Sequence, residues 1–290
     1  MNINLLLSSL PFFSQKTIKV DDCVIGAALD TGKPLMVARF GSVEIKGVLY
    51  PRLPWPIQSL VRNKVFTDMA NNAGFFSVTE EKLTKFSHLM IEDMGLVDIL
   101  GCWRFEERFL RKYLIAAKKI DLIAIEPYFS TRPWTEFLIG RKVLVVHPFS
   151  TTIENQYAEN RTKLFQDQRV LPEFKSLQTV KAVQTIAGNE SEFSDWFAAL
   201  ESMKNSIAEK DFDVAIIGCG AYGFPLAAHV KRLGKQAVHL GGATQILFGI
   251  RGRRWDADPI ISSFYNDSWT RPLASDIPQN SQKVEGGCYW

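Results

Sequence analysis

Arg39 and Glu44 lie on the segment Leu35-Met-Val-Ala-Arg-Phe-Gly-Ser-Val-Glu44, where an apolar run passes into a glycine corner. Arg39 offers an anion partner and Gly41 a flexible backbone. Glu44 offers a carboxylate suited to a base or a metal ligand. Such a loop can face a phosphorylated or sugar ligand; the alternative is a strand end closed by an ordinary surface salt bridge.

Other residues with chemical capacity recur in the same setting, just after an apolar run. Glu126 follows Asp121-Leu-Ile-Ala-Ile125, and His147 ends the run before Pro148, where an imidazole can act as acid, base or phosphate partner. Gly218-Cys-Gly220-Ala-Tyr222-Gly223 follows a predicted strand and opens a predicted helix, the context in which G-x-G-x-x-G can hold a phosphate on backbone N–H groups. A dinucleotide site also wants an acid at the end of the next strand, and Val238-His-Leu-Gly-Gly242 has none. NAD and FAD are therefore disfavoured, leaving a nucleotide diphosphate or a structural turn. Tyr222 and Phe224 offer rings for stacking on a base or sugar, and Gln245 an amide for hydroxyl recognition. Arg251, Arg253 and Arg254 form the one tight cationic group, from which a single pyrophosphate ligand is expected. Glu154 reads instead as part of a helix-capping box, Thr151-Thr-Ile-Glu154.

The elements that must position these residues can be read from the apolar pattern. Strands are predicted at Leu35–Arg39, Val97–Cys102, Leu122–Ile125, Lys142–Val146, Val214–Ile217 and Ala237–Leu240, with a weaker seventh at Lys181–Ile186. Helical spacing separates them. Leu83, Phe86, Leu89 and Met90 share a face after a capping box at Ser77-Val-Thr-Glu80. Phe105, Phe109, Tyr113 and Ala116 form a second stripe, and Phe193, Trp196, Phe197, Leu200 and Met203 a third, both read as core. A further helix runs from Gly220 to near Gly234. Pro51-Arg-Leu-Pro-Trp-Pro56 reads as a rigid loop. The alternation implies α/β architecture, Rossmann-like, with a largely parallel sheet flanked by helices. Residues 1–250 would form the ligand-binding domain, with a helical insertion at about 56–118. Residues 251–290 would be an extended tail pinned by Trp255, Phe264, Trp269 and Trp290. Ligands of such sheets bind beyond the carboxyl ends of the strands, where the groups above all fall.

Composition narrows the function classes. The net charge of +3 over 290 residues gives no electrostatic case for nucleic-acid binding. Cys23, Cys102, Cys219 and Cys288 show no zinc spacing and are expected to be reduced thiols. The apolar run Ile3–Phe13 is too short to span a bilayer and lacks signal-peptide flanks, although it suits a partner or a membrane surface. The expectation is a cytoplasmic protein without a transmembrane segment, with a peripheral place at the inner membrane face as the alternative, and a homo-oligomer is compatible with the aromatic tail.

Arg39-Phe-Gly-Ser-Val-Glu44 resembles the Arg-Phe-Gly-Asp-x-Glu loop of the GT-D-type glycosyltransferases of bacterial surface polysaccharide and glycoprotein assembly. The likeness extends to Val145-Val-His-Pro-Phe149, Gly218–Leu226 and Gly241–Gly249. It implies a Rossmann-like enzyme that binds a nucleotide sugar, with UDP favoured, and transfers the sugar to a hydroxyl of a glycan or lipid-linked acceptor. The family's D-x-E loop maps onto Ser42 and Glu44, so Mn²⁺ or Mg²⁺ at Glu44 is weakened by the serine in place of the first acid. An inverting transfer would require a base near the acceptor hydroxyl, for which Glu44, Glu126 and His147 are the candidate catalytic groups. Arg39, Gly41, Ser42, Gly218, Gly220, Tyr222, Gly223, Gln245 and Arg251 would contact the donor. Competing readings are an S-adenosylmethionine-dependent or other nucleotide-cofactor enzyme and a non-catalytic binding protein.

Overall fold

A computed structural model describes residues 23–186, 191–278 and 287–290. The Ile3–Phe13 run lies outside the described residues. Seven strands form one sheet: β1 Leu35–Arg39, β2 Ile99–Cys102, β3 Lys118–Asp121, β4 Lys142–His147, β5 Ser176–Lys181, β6 Val214–Ile217 and β7 Gln236–His239. Their order is β3-β2-β1-β7-β6-β4-β5, and every pairing is parallel.

The central strands are buried on both faces, which is why they read as continuous apolar runs. Met36 and Ala38 of β1, Leu144 and Val146 of β4, and Ala215 and Ile217 of β6 enter one core. Leu35 and Val37, Val143 and Val145, and Val214 and Ile216 enter the other. The first core is covered by α2 (Glu44–Leu49), α3 (Trp55–Asn72), α4 (Glu80–Met94), α6 (Trp196–Ala208) and α7 (Gly223–Arg232). The second is covered by α1 (Val24–Asp30), α5 (Ser150–Leu164), α8 (Ala243–Leu247) and the C-terminal residues Ile261, Trp269 and Trp290. Helices that follow the adjacent strands β1 and β7 therefore lie on opposite faces, as do those that follow β6 and β4. A crevice opens at such reversals, beyond the strands' carboxyl ends.

The edges depart from expectation. Leu122–Ile125 is a 3-10 turn, and the strand precedes it at Lys118–Asp121. Its lysines are exposed at the sheet edge, so β3 carries no apolar signature. Ile125 owes its burial to Gly101 of β2, where a Cβ would collide with the isoleucine side chain. The weak seventh strand likewise sits earlier, at Ser176–Lys181, on the opposite edge.

Several local signals also resolve differently. Thr79, not Ser77, caps α4 by accepting from the Lys82 N–H at 3.1 Å. The Thr151–Glu154 pattern is not a capping box: α5 begins at Ser150, and Glu154 accepts from the Thr179 hydroxyl at 2.6 Å. The proline-rich stretch is only partly loop, because α3 starts at Trp55 with Pro56 in its first turn, where a missing N–H costs nothing. Phe105–Tyr113 is a 3-10 segment that buries Leu110 and leaves Phe105 and Phe109 exposed, so its aromatic stripe is not core. The C-terminal stretch carries short helices at Arg253–Asp256 and Pro259–Ser262, while Trp269 and Trp290 are buried as anchors. Among the described residues, no helix is long and apolar enough to cross a membrane.

Candidate active site

A cavity of about 490 Å³ opens at the carboxyl ends of the strands, and residues following all seven contribute to its wall. Its size is within the range of small-molecule sites. Arg39, Gly41, Ser42, Glu44, Glu126, His147, Gly218, Gly220, Tyr222 and Gln245 all line it. Gly223 and Arg251 do not.

Arg39 occupies the end of β1, its guanidinium 5.0 Å from the Trp103 ring centre, and Nε and Nη2 donate to the Phe40 carbonyl at 3.4 and 3.3 Å. Gly241 makes room for it: with φ at +67°, any Cβ there would sit 3.1 Å from Nη1. The positive charge is felt by Glu44, Glu126, Tyr128 and His239. No carboxylate closes an ion pair with it among the described residues, so its charge and the donors not held by Phe40 are available to an anionic ligand.

Glu44 is the first residue of α2, and its carboxylate folds back over Gly41, where a Cβ would collide with it. Burial pushes its pKa above the usual carboxylate range, against the opposing pull of backbone N–H groups at Glu44 and Val43 and of the Arg39 charge. Glu126 is also shifted upward by burial, while its Oε2 accepts from the Tyr128 hydroxyl at 2.9 Å. Both carboxylates are thus more basic than surface ones.

His147 is buried, and its Nδ1 accepts from the Phe149 N–H at 3.0 Å. Burial lowers its pKa to about 3, so the ring is neutral with its proton on Nε2. That tautomer donates a hydrogen bond, and the geometry does not suit the base role. His239, at the end of β7, is a second buried neutral imidazole, lowered to about 3 by burial and by the Arg39 charge. It too lines the cavity, although no motif in the sequence marks it. A polar residue ending an apolar strand is the same signal that marked His147.

The glycine-rich loop spends several of its N–H groups on the protein itself. The Ala221 N–H donates to Ala73 at the end of α3 at 3.2 Å, Tyr222 to Cys219 at 3.3 Å, and Gly223 to Gly220. Three N–H groups are thereby spent on the protein's own carbonyls. Tyr222 is no ligand platform, since its ring stacks on Trp196 at 4.9 Å inside the core. Gly223 serves packing: its Cβ would collide with the His239 ring. Gln245 is buried, and its amide nitrogen donates to the carbonyls of Arg251 and Tyr289 at 3.0 and 2.8 Å, tying down the tail rather than facing a sugar. Arg251 lies 4.7 Å from the Tyr265 ring centre, outside the cavity. Arg254 takes its place, 5.0 Å from the ring centre of Tyr289. Trp103, Tyr128, Trp255, Tyr289 and Trp290 supply the aromatic wall, and Asn72, Gln184 and Thr185 add polar groups that no sequence motif marked.

Among the described residues the protein alone supplies no complete ligand set for a divalent cation. No three His, Cys, Asp or Glu side chains converge among them, and a serine stands at position 42 beside the lone Glu44.

No family model and no curated protein matches the chain. Three solved structures are similar in fold. A chain described as domain of unknown function 1792 is 14% identical, with a TM-score of 0.42 over 78% of this chain and 79% of its own. A second, described as that domain with a distinct glycosyltransferase fold, is 13% identical, with a TM-score of 0.39 over 92% and 94%. A third, described as a new glycosyltransferase from Streptococcus sanguinis, is 14% identical, with a TM-score of 0.39 over 89% and 96%.

Proposed function

We propose that this chain is a glycosyltransferase that moves a sugar from a nucleotide-diphosphate sugar, preferentially a UDP-sugar, to a hydroxyl of a glycan or lipid-linked acceptor in surface polysaccharide assembly. One observation carries the reading. Arg39 and two half-buried carboxylates, Glu44 and Glu126, face a single cavity at the carboxyl ends of a parallel sheet. The motif likeness around Arg39–Glu44 supports the same class.

In this scheme the departing diphosphate gathers negative charge as the sugar leaves, and Arg39, with Arg254 at the tail side, stabilises it by charge-assisted hydrogen bonds. The Nε2–H of His147 donates to a phosphate or sugar oxygen. Glu44 takes the acceptor hydroxyl proton, a role suited to a carboxylate whose pKa is raised toward the working pH. Glu126, oriented by Tyr128, holds a sugar hydroxyl. The cation set of the protein replaces a metal, so chelation is expected to leave turnover nearly unchanged.

Thermal shift with UDP-, GDP- and CDP-sugars and with S-adenosylmethionine, with and without Mn²⁺, tests the donor class. Stabilisation by a nucleotide sugar that is lost in Arg39→Met and kept in Glu44→Gln supports the scheme. Stabilisation by S-adenosylmethionine alone, or by none of the panel, overturns it. Removal of the Arg39 charge also frees the Glu44 pKa to rise further, so the acid limb of the residual rate–pH profile of Arg39→Met should move to higher pH.

A further inference from the structure

Six of the large hydrophobic side chains that face solvent fall in two short segments: Trp55, Ile57 and Leu60 at the start of α3, and Phe105, Phe109 and Ile115 in and after the 3-10 segment. Trp55 is 78%, Leu60 85% and Ile115 82% exposed, values far from those of side chains that pack within the fold. The two segments adjoin. Both pack against α2, and Arg52 donates to the Tyr113 hydroxyl at 3.4 Å while stacking on its ring.

The charge beside them is mainly basic, with Glu106 paired to Arg104 at 2.8 Å. Residues 108 to 120 include Arg108, Arg111, Lys112, Lys118 and Lys119 and no acid, and all five are exposed. Residues 51 to 67 add Arg52, whereas Arg62 and Lys64 are paired with Glu80 and Asp68 at 2.7 and 3.2 Å. Arg108 lies over the Phe105 and Phe109 rings, 3.0 and 5.0 Å from their centres, so cations and aromatics share one surface.

We propose that this flank docks on an anionic lipid bilayer surface. Basic side chains pair with headgroups while Trp, Phe, Leu and Ile enter the boundary with the acyl chains. Each alternative occupant fits less well. A second copy seated symmetrically on the same patch would bring Arg108, Arg111 and Lys112 against their own counterparts. Nucleic acid would use the arginines and the aromatic rings but gives exposed Leu60 and Ile115 nothing to enter. Trp103, two residues before Phe105, lines the cavity, so the docked bilayer would lie beside the cavity's rim. The inference stands apart from the transfer reading, although a lipid-linked acceptor would explain why the site sits there.

Vesicle co-sedimentation of the full chain without substrate tests the proposal. Vesicles of phosphatidylcholine with ~30% phosphatidylserine, enough to give the negative surface potential of an anionic leaflet, are compared with phosphatidylcholine alone. Binding should require the anionic lipid and fall in high salt. The pair Arg108→Glu and Lys112→Glu should weaken it by at least about tenfold, on the scale of about 1 kcal/mol per basic residue. Leu60→Ser with Ile115→Ser should weaken it severalfold, because inserted aliphatic area is lost. These exposed substitutions should leave the thermal midpoint and donor binding unchanged, so failure here is distinct from failure of the transfer reading. Three results overturn the proposal: no binding by the full chain, loss of binding on removal of residues 1–22 with the patch variants unaffected, or a dimer that the patch variants dissociate.

Discussion

The loops after β1 and after β6 both turn on glycine at the same end of the sheet, and both meet the cavity. After β1, Gly41 yields its Cβ space to a carboxylate of the same loop, and the loop ends with Arg39 and Glu44 turned toward the ligand volume. After β6, Gly218 yields its space to the Gly241 carbonyl and Thr244, Gly220 lies against Ala73, and Gly223 admits His239. The first loop presents charge, whereas the second holds the walls together. A glycine motif reports that something approaches the backbone closely; only its neighbour says whether that something is a ligand group or the protein itself.

The contrast can be broken most sharply at Glu44. Glu44→Gln should reduce turnover by about 10²–10⁴, the range of general acid–base contributions, with little change in unfolding midpoint. A stability loss without a rate loss would assign this loop the structural part. Glu126→Gln, measured alongside, should cost less.

His239 joins the two loops, and acid stability reads its environment. Its folded pKa of about 3 lies below the ordinary imidazole value, so between pH 6.5 and 3 the unfolded chain binds the proton and the fold does not. The resulting stability is complete above the unfolded pKa and is lost as pH falls, by on the order of 5 kcal/mol across the window. Urea unfolding at stepped pH should show a shallower acid slope for His239→Gln than for the native chain.

Gly218→Ala should cost about 1–3 kcal/mol, because the new Cβ would stand 2.5 Å from a backbone carbonyl that cannot swing aside. Chemical denaturation checks it. At the tail, Arg254→Ala should weaken donor binding by about tenfold, as for loss of one charge-assisted hydrogen bond, and Arg251→Ala by much less. Calorimetric titration separates the two. Gly220→Ala should have the smallest effect, about 1 kcal/mol of stability from its φ of +56°, since Ala73 O would lie 3.2 Å from the added carbon. If Gly220→Ala instead abolished donor binding at full stability, the second loop would be a ligand loop after all.

Much of the fold was legible because central parallel strands are buried on both faces and must be apolar throughout. Leu35–Arg39 and Val214–Ile217 were readable to the residue for that reason. β3 and β5 were not, since an edge strand has one hydrogen-bonded neighbour and tolerates Lys118, Lys119 and Lys181. The Phe105–Phe109 stripe had helical spacing but no core to face. In the site, strand-end position sufficed to collect Arg39, Glu44, Glu126 and His147, whereas Asn72, Gln184 and Thr185 come from segments whose approach to the cavity depends on distant packing.

The chain's own pattern determined a parallel α/β sheet and placed an arginine and a glutamate on the loop after its first strand, because burial on two faces and the turn after it are local demands. Tertiary structure alone decided that the Ala221 N–H bonds to Ala73, that Gln245 holds the tail, that Arg254 rather than Arg251 reaches the cavity, and that His239 joins the site. Each of those outcomes depends on a partner far away in sequence, whose distance and donor geometry no local spacing encodes.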